Sequence, residues 1–484
     1  MYCFLSVSVQ KGAYMSVLQK LLEFPGIELR PEDGTPASLY KKNLNIAWPA
    51  TLEGALIAII GSIDTVMVGT MGSSAIAAVG LTNQPRMILL ILAQALCVGT
   101  TALVARRKGA EDKEAANRTL AQSMGTVTLL GLLITAIGFF GAEPLMRFGG
   151  ANDETVGMAA TYFRIVSLSF LFNCWQLCIC AAMRAIGQTR VTMVTHITAN
   201  LVNVFLNYCL IGGNLGFPAM GVAGAALATA IGTVVASIIA FFFVFRKNGY
   251  LRLKILQMFR FDRETMRGLT TVGASSMAES VALRIGFLIT TKLIAGLGTA
   301  AMASYQIVSQ VTTLSFTLGD GIAAAGASYV GQSLGAERPE LARAHVIISR
   351  RLSMVTSILL MIAIFVFRNQ LAELFTNEAN IIWGVTLSFY VVIVGIIPQN
   401  GRIVYSGCLR GAGDVRFVAV CALLSVAIIR PLATWILCYP LRELLPMLEL
   451  TVTGPWAAFV LDSFVRDAML SARIRHGQWL TVRL

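Results

Sequence analysis

Stretches far apart in this chain are copies of one another in a single register, and they sit among apolar runs too long to be strands. The stretch Val66–Gln84 (VMVGTMGSSAIAAVGLTNQ) aligns with Lys292–Gln310 (KLIAGLGTAAMASYQIVSQ), an offset of 226 residues. At the same offset, Val104–Glu111 (VARRKGAE) falls on Val330–Glu337 (VGQSLGAE), and Met183–Arg190 (MRAIGQTR) falls on Leu409–Arg416 (LRGAGDVR). Each match alone is weak, but three in constant register are not chance. Internal duplication in a chain this apolar points to a membrane protein of two repeated lobes, the architecture of a transporter.

The bulk numbers set the solvent. Of 484 residues, 56% are hydrophobic and only 13% are charged, with a mean hydropathy of +0.72. A soluble domain has about a quarter of its residues charged. The surroundings are therefore lipid, where the backbone must satisfy itself in helices or a closed barrel. Apolar runs of about 20 residues or more select helices, because barrel strands would be about ten residues long and alternate in polarity. Twelve spans are predicted, at 44–68, 76–104, 119–141, 157–183, 190–211, 221–245, 268–295, 302–330, 345–367, 382–408, 415–439 and 452–472. Turn residues such as Gly212-Gly213-Asn214 and Gly411-Ala412-Gly413-Asp414 separate them. The expected fold is an all-α polytopic membrane protein with twelve transmembrane helices in two pseudo-symmetric six-helix lobes.

The net charge of +13 looks at first like a nucleic-acid signal, but its distribution says otherwise. Lysine and arginine alternate by loop. Arg106, Arg107, Lys108 and Lys113 follow span two, and the connection after span six carries seven basic residues from Arg246 to Arg267. The opposite loops hold little beyond Arg147, Arg368 and Arg442. By the positive-inside rule both termini are cytoplasmic, in a cell (inner or plasma) membrane, and no nucleic-acid partner is needed to explain the charge. Because each repeat has an even number of spans, the copies are related by an axis along the membrane normal. The expected divisions are a cytoplasmic lead at 1–43, an N-lobe at 44–245, a basic linker at 246–267, a C-lobe at 268–472 and a cytoplasmic tail at 473–484. Both Met1 and Met15 are possible starts. The nine cysteines lack metal spacing and are expected to be packing residues.

Ionisable groups inside spans are the informative ones, since each costs on the order of 3 kcal/mol at the bilayer centre. Glu53 lies about nine residues into span one, and the repeat offset carries it onto Glu279 in span seven. The pair either meets a cationic substrate near the central cleft or forms structural ion pairs, with Arg284 a candidate partner for Glu279. Asp64 has no acidic mate, since Thr290 holds its repeat position, and it lies about three turns from Glu53 on the same helix face. A lone acid there can take up H⁺ or Na⁺; the alternative is an interfacial acid satisfied by water. Asn203 and Asn207 are four apart and share a face of span five, offering amide oxygens to Na⁺ or a ligand, or tying helices together. Asn173 joins the candidates for the substrate cleft. His196 is expected to be a packed or interfacial histidine, and Asp462 and Arg466 an ion pair four residues apart. Pro49, Pro398 and Pro431 interrupt helical hydrogen bonding and are expected bending points. There is no phosphate-binding loop, nucleophile elbow or Cys/His metal spacing, so an enzyme is not expected.

With these residues assembled, the chain resembles the MATE (multidrug and toxic compound extrusion) transporters over about residues 43–480. The resemblance rests on Pro49 followed by Asp64 and ValMetValGly, AlaIleAlaAlaValGly (75–80), MetArgAlaIleGlyGlnThrArg (183–190) and GlyAlaAlaLeuAlaThr (224–229). It continues with GlyAlaSerSerMetAlaGlu ending at Glu279, ValGlyGlnSerLeuGlyAla (330–336), LeuArgGlyAlaGlyAsp (409–414) and ArgIleArgHisGlyGlnTrp (473–479). It implies two lobes that rock between inward-open and outward-open states while exporting organic, often cationic, compounds in exchange for H⁺ or Na⁺. It also implies a cation site at Asp64, Asn203 and Thr229, with Asn207 standing where relatives carry an aspartate. The coupling ion is then H⁺ or Na⁺, Na⁺ being held by Asp64 and Asn203, with no resident metal or cofactor. A helix-ten aspartate of one branch aligns with Gln399, so that acid site is not expected here; Gln399 stands as a cleft candidate. The partners implied are a small-molecule substrate and membrane lipid, with the chain acting as a monomer. The alternative is a flippase or exporter of a lipid-linked or other large polar precursor, for which Arg284, Lys292 and Arg402 would supply cationic groups.

Overall fold

The computed structural model describes residues 23–482 except 25, 70, 154, 247–248 and 445–448. The possible start at Met15 and the last two residues of the tail lie outside them. Among the described residues twelve main helical units follow one another, with short helices at Ala142–Phe148 and Pro440–Leu444 between them, and no strand occurs. They are α1 (Pro36–Gly69), α2 (Ser73–Gly109), α3 (Lys113–Phe140), α4 (Val156–Ser167 continued by Phe170–Ala185), α5 (Thr189–Gly212) and α6 (Gly221–Phe245). The second set is α7 (Arg263–Ala295), α8 (Thr299–Gly335), α9 (Pro339–Glu373), α10 (Ala379–Ala412), α11 (Val415–Cys438) and α12 (Leu450–His476). Among the described residues eight are long and apolar enough to cross a bilayer unbroken, and nine if the two parts of α4, bent by 51°, count as one span. Each predicted span falls on one of the twelve. The helices run past the predicted ends mainly on the basic side, where α2 reaches Gly109 and α8 reaches Gly335.

The duplication is written into the backbone. Gly72 and Gly298 open α2 and α8 with φ of +103° and +111°, and Gly187 and Gly413 sit at +86° and +89° at the matching turns after α4 and α10. Glu111 and Glu337 are both at φ +57°, in the left-handed region that non-glycine residues seldom visit. All three pairs stand at the offset read from the sequence. The lobes meet through α1 on α8, α2 on α7, and α2 on α8, the first two being symmetry equivalents.

Small residues allow these contacts. A Cβ on Gly109 would collide with the Gln332 carbonyl, and one on Gly335 with the Arg106 carbonyl. The Gln332 side chain donates to the Ala185 carbonyl at 2.8 Å, as Ser328 does at 3.0 Å, and Arg106 donates to the Val482 carbonyl at 2.7 Å. Further along, Thr51 packs on Gly321 and Gly54 on Thr317. These inter-lobe contacts all lie in the half that carries the basic connections. The lobes are closed there.

Four prolines lie inside continuous helices, the expected Pro49 in α1 and Pro398 in α10, and also Pro85 in α2 and Pro455 in α12. Before Pro431 the chain widens into a π-turn at Leu423–Ile429, and Gly286 of α7 lets its backbone rest on the freed Val426 carbonyl. The lead before α1 is shorter than expected, because the helix begins at Pro36. Phe24 and Leu39 pack on Ala344 and Ile348 of α9, and Ile46 and Ala47 join a buried cluster otherwise made of residues from the second half. Asn43 hydrogen-bonds His345 at 2.8 Å inside this contact. The eight cysteines among the described residues are buried and unpaired, which fits packing.

Candidate functional site: an acid pocket in the N-lobe and a charged cleft floor

Asp64 reaches a cavity of about 320 Å³ lined by helices of the first half. Asn203 and Thr229 line it too, with Asn173, Gln176, His196 and Asn200. Asn207 is fully buried and donates its amide to Asp64 Oδ1. Asn203 Oδ1 lies 3.5 Å from the same amide nitrogen, and Asn203 Nδ2 lies 3.4 Å from Thr229 Oγ1. Thr229 hands its own proton to the Ala225 carbonyl at 3.0 Å and is also bonded by Tyr162. Helical spacing explains the grouping. Asn203 and Asn207 lie on one stripe of α5, and α5 packs on both α1 and α6. The four coupling candidates therefore form one hydrogen-bonded chain from the acid to the hydroxyl. Asn207 Oδ1 is buried without a protein partner among the described residues, leaving an acceptor free beside the carboxylate.

Arg86 of α2 also lines this cavity and is close enough to act electrostatically on Asp64 and Tyr162. The sequence reading passed over it, although an arginine inside the apolar run Met87–Val104 and its flank is the same kind of signal that singled out Asp64.

The symmetry-related glutamates both have basic partners. Glu53 accepts from Thr192 at 2.7 Å and lies 3.4 Å from His196 Nε2 and 3.7 Å from Arg184. Glu279, only 2% exposed, takes Arg410 at 2.6 Å and Arg466 at 2.8 Å. The partners of Glu279 are therefore not Arg284. Asp462 does not pair with Arg466 either; it holds Arg430 of α11, and both groups are buried. Spacing of four residues on one helix was outweighed by guanidiniums arriving from neighbouring helices. Gln399 is fully buried in the second lobe, away from the Asp64 cavity, and neither of its amide atoms has a protein partner among the described residues. His196 touches Glu53 and lines the Asp64 cavity, with Nδ1 3.2 Å from Gln176.

Arg184 and Arg410 occupy matching positions in the two copies of the repeat, and each pairs with the matching glutamate. Both face the floor of the cleft between the lobes. One cavity there, about 410 Å³, is lined by Glu53, Arg184 and Asp320; the next, about 340 Å³, by Arg184, Asp320 and Arg410. No group of three or more His, Cys, Asp or Glu side chains able to hold a metal ion occurs among the described residues.

Two six-helix lobes, a polar cleft and a half-buried acid at a cavity of one lobe define a membrane transporter, not an enzyme. The MatE family profile matches residues 49–209 and 276–436, one stretch in each half, and the chain belongs to that family. It is 26% identical over 447 residues to the uncharacterized transporter YisQ of Bacillus subtilis, covering 92% of this chain and 96% of that one. It is 25% identical over 452 residues to the probable multidrug resistance protein NorM of Thermotoga maritima, covering 93% and 95%. Among solved structures, a MOP superfamily transporter from Pyrococcus furiosus superposes with a TM-score of 0.83 at 22% identity, covering 92% and 97%. An outward-facing multidrug resistance MATE family transporter also gives 0.83 at 22% identity, covering 91% and 97%.

Proposed function

We propose that the protein is a secondary active exporter of organic compounds, driven by uptake of H⁺ or Na⁺ at Asp64. The observation that carries this reading is the chain Asp64–Asn207–Asn203–Thr229, set at a cavity of one lobe of a two-lobed transporter. The names of relatives such as NorM and the Pseudomonas aeruginosa multidrug resistance protein PmpM support export of drugs. With the basic connections on the cytoplasmic side, the termini are cytoplasmic, the end closed by the inter-lobe contacts faces inward, and the basic stretch 246–267 joins the lobes.

With the cytoplasmic end closed, Asp64 takes its ion from the outer side. As a carboxylate it is held by the Asn207 amide and faces Arg86. A proton would remove its charge outright. Na⁺ would instead use oxygens, and rotation of the Asn207 amide would turn its free Oδ1 toward the acid and complete a set with Asn203 Oδ1 and Thr229 Oγ1. Either ion weakens the hold of Asp64 on α5 and on Arg86. The packing of α1, with Pro49 available to bend it, then differs between loaded and empty states. Coupling requires that ion and substrate favour different states, and a shared helix is the means to that end. One chain holds the complete pocket, so a monomer suffices.

The test is efflux of a permanently cationic dye from proteoliposomes under an imposed pH or Na⁺ gradient, comparing wild type with Asp64→Asn. Gradient-driven efflux is expected in the wild type and at least about a tenfold loss in the variant, and the gradient that works names the ion. Undiminished gradient-driven efflux in Asp64→Asn would remove Asp64 from the coupling role.

A further inference from the structure

We propose that the connection between the lobes is a binding surface for anionic phospholipid, its apolar side chains set into the edge of the bilayer on the basic side. That side is the inner leaflet in the orientation given above. The proposal draws nothing from the coupling chemistry at Asp64.

The argument begins with the path of the chain after α6. Tyr250 lies at the tips of α2 and α3, with Lys108 Nζ 3.7 Å from the centre of its ring. From there the chain turns back along α3 instead of staying out in water. The Arg252 N–H donates to Asn117 Oδ1 at 2.7 Å, and Gly125 admits the Met258 carbonyl. The chain then rises again, where the Gln122 side chain donates to the Arg260 carbonyl at 2.9 Å. From Asn117 to Gly125 is eight residues of helix, a descent of about 12 Å. The predicted span begins at 119, six residues before Gly125, so Met258 sits about 9 Å inside that edge.

The two sides of this loop differ. Leu251, Leu253 and Met258 turn inward and join the buried core of the first lobe. Ile255, Leu256, Phe259 and Phe261 turn away from it and are exposed, Leu256 at 89%. At this depth they meet the boundary between acyl chains and headgroups, where the apolar face of an amphipathic segment lodges. Arg252, Lys254, Arg260 and Arg263 bracket them and are exposed as well. None of the four forms an ion pair among the described residues. The acids of the stretch are engaged elsewhere. Asp262 accepts from the Thr265 N–H at 3.0 Å as the cap of α7, and both Asp262 and Glu264 lie near Arg107. Basic side chains beside a bilayer gain from an anionic surface, and headgroup phosphates are the acceptors in reach. A soluble anion would use the charges and leave the apolar side chains in water. Only a molecule with an anionic head and an apolar body answers both.

Two measurements on the full-length protein test this. A nitroxide on Leu256→Cys, in nanodiscs of phosphatidylcholine and phosphatidylglycerol, is expected to meet dissolved oxygen more often than a water-soluble nickel chelate. The same label on Ala110→Cys, exposed just past the end of α2, should show the reverse, with labelling of the unsubstituted protein subtracted from both. A label at 256 as open to the chelate as the one at 110 overturns the proposal. So does a label closed to both reagents, as under a protein cover.

For the headgroups, the protein in detergent is offered phosphatidylglycerol and phosphatidylcholine together, and the lipid retained after washing is counted by mass spectrometry. The wild type is expected to favour phosphatidylglycerol by about tenfold or more, the scale of one or two basic side chains at a charged surface. The ratio should fall several-fold in Arg252→Gln/Lys254→Gln/Arg260→Gln/Arg263→Gln and hold in Arg252→Lys/Arg260→Lys/Arg263→Lys. The wild-type ratio needs no variant, so a poorly folding substitution leaves it intact. No preference in the wild type, or one unmoved by the Gln changes, overturns the proposal. Release of the bound lipid by inorganic phosphate also overturns it, in favour of a site for a soluble anion. None of these failures touches the exporter reading, which stands or falls on efflux at Asp64.

Discussion

At the scale of residues, the acids of this protein divide by what surrounds them. Glu279 sits between two guanidiniums with almost no exposure, while Asp64 has amides on one side and a cavity on the other. Replacing Glu279 by Gln strands Arg410 and Arg466 around a neutral group. Breaking a buried ion cluster in this way costs about 3–5 kcal/mol, so a large fall in the thermal unfolding midpoint is expected in detergent. Asp64→Asn should change stability by no more than about 1 kcal/mol while removing coupling. A Glu279→Gln protein as stable as the wild type would mean that the cluster is not structural. Much of this was legible in the sequence. The offset that paired Glu53 with Glu279 also pairs Arg184 with Arg410, inside motifs already aligned, yet which residues touch depends on how neighbouring helices are rotated. Asp462 illustrates the limit. Its spacing from Arg466 suggested a pair on one helix, and the nearer charge came from α11.

At the scale of elements, the closed end of the cleft depends on bare backbone. Gly109 and Gly335 occupy equivalent places at the ends of α2 and α8, and each lets the other helix's carbonyl into the space a side chain would fill. Overpacking of a tight contact costs about 1–3 kcal/mol, enough to move a rocking equilibrium between two states of similar energy. Gly109→Val and Gly335→Val are expected to favour the state in which this end is open. Spin labels at the exposed positions Ala110 and Ala336 would register a longer distance than in the wild type; an unchanged distance distribution would contradict the role given to these glycines. The long helices were evident from apolar length, but the break in α4 and the π-turn in α11 were not. At Leu168–Ser169 no proline marks the bend, and the π-turn depends on Gly286 in a distant helix admitting the Val426 carbonyl.

At the scale of the whole molecule, duplication and packing do not share a boundary. The sequence places α1 in the first repeat, yet its opening turns, with Phe24 ahead of them, cover α9 and the buried cluster around Val346, Leu470 and Trp479. The second half is therefore not a free-standing copy of the first. If the chain were cut in the basic connection and made as two polypeptides, the second fragment by itself would leave Ala344 and Ile348 uncovered, and His345 without Asn43. It should aggregate or be degraded when expressed alone and accumulate when the first fragment is supplied with it. A first fragment beginning after Asn43 should fail to rescue it, although all of its cavity-lining residues are present. Membrane levels of the tagged second fragment would decide the matter, with equal levels in all three cases counting against it. The second half depends, in this chain, on a helix it does not encode.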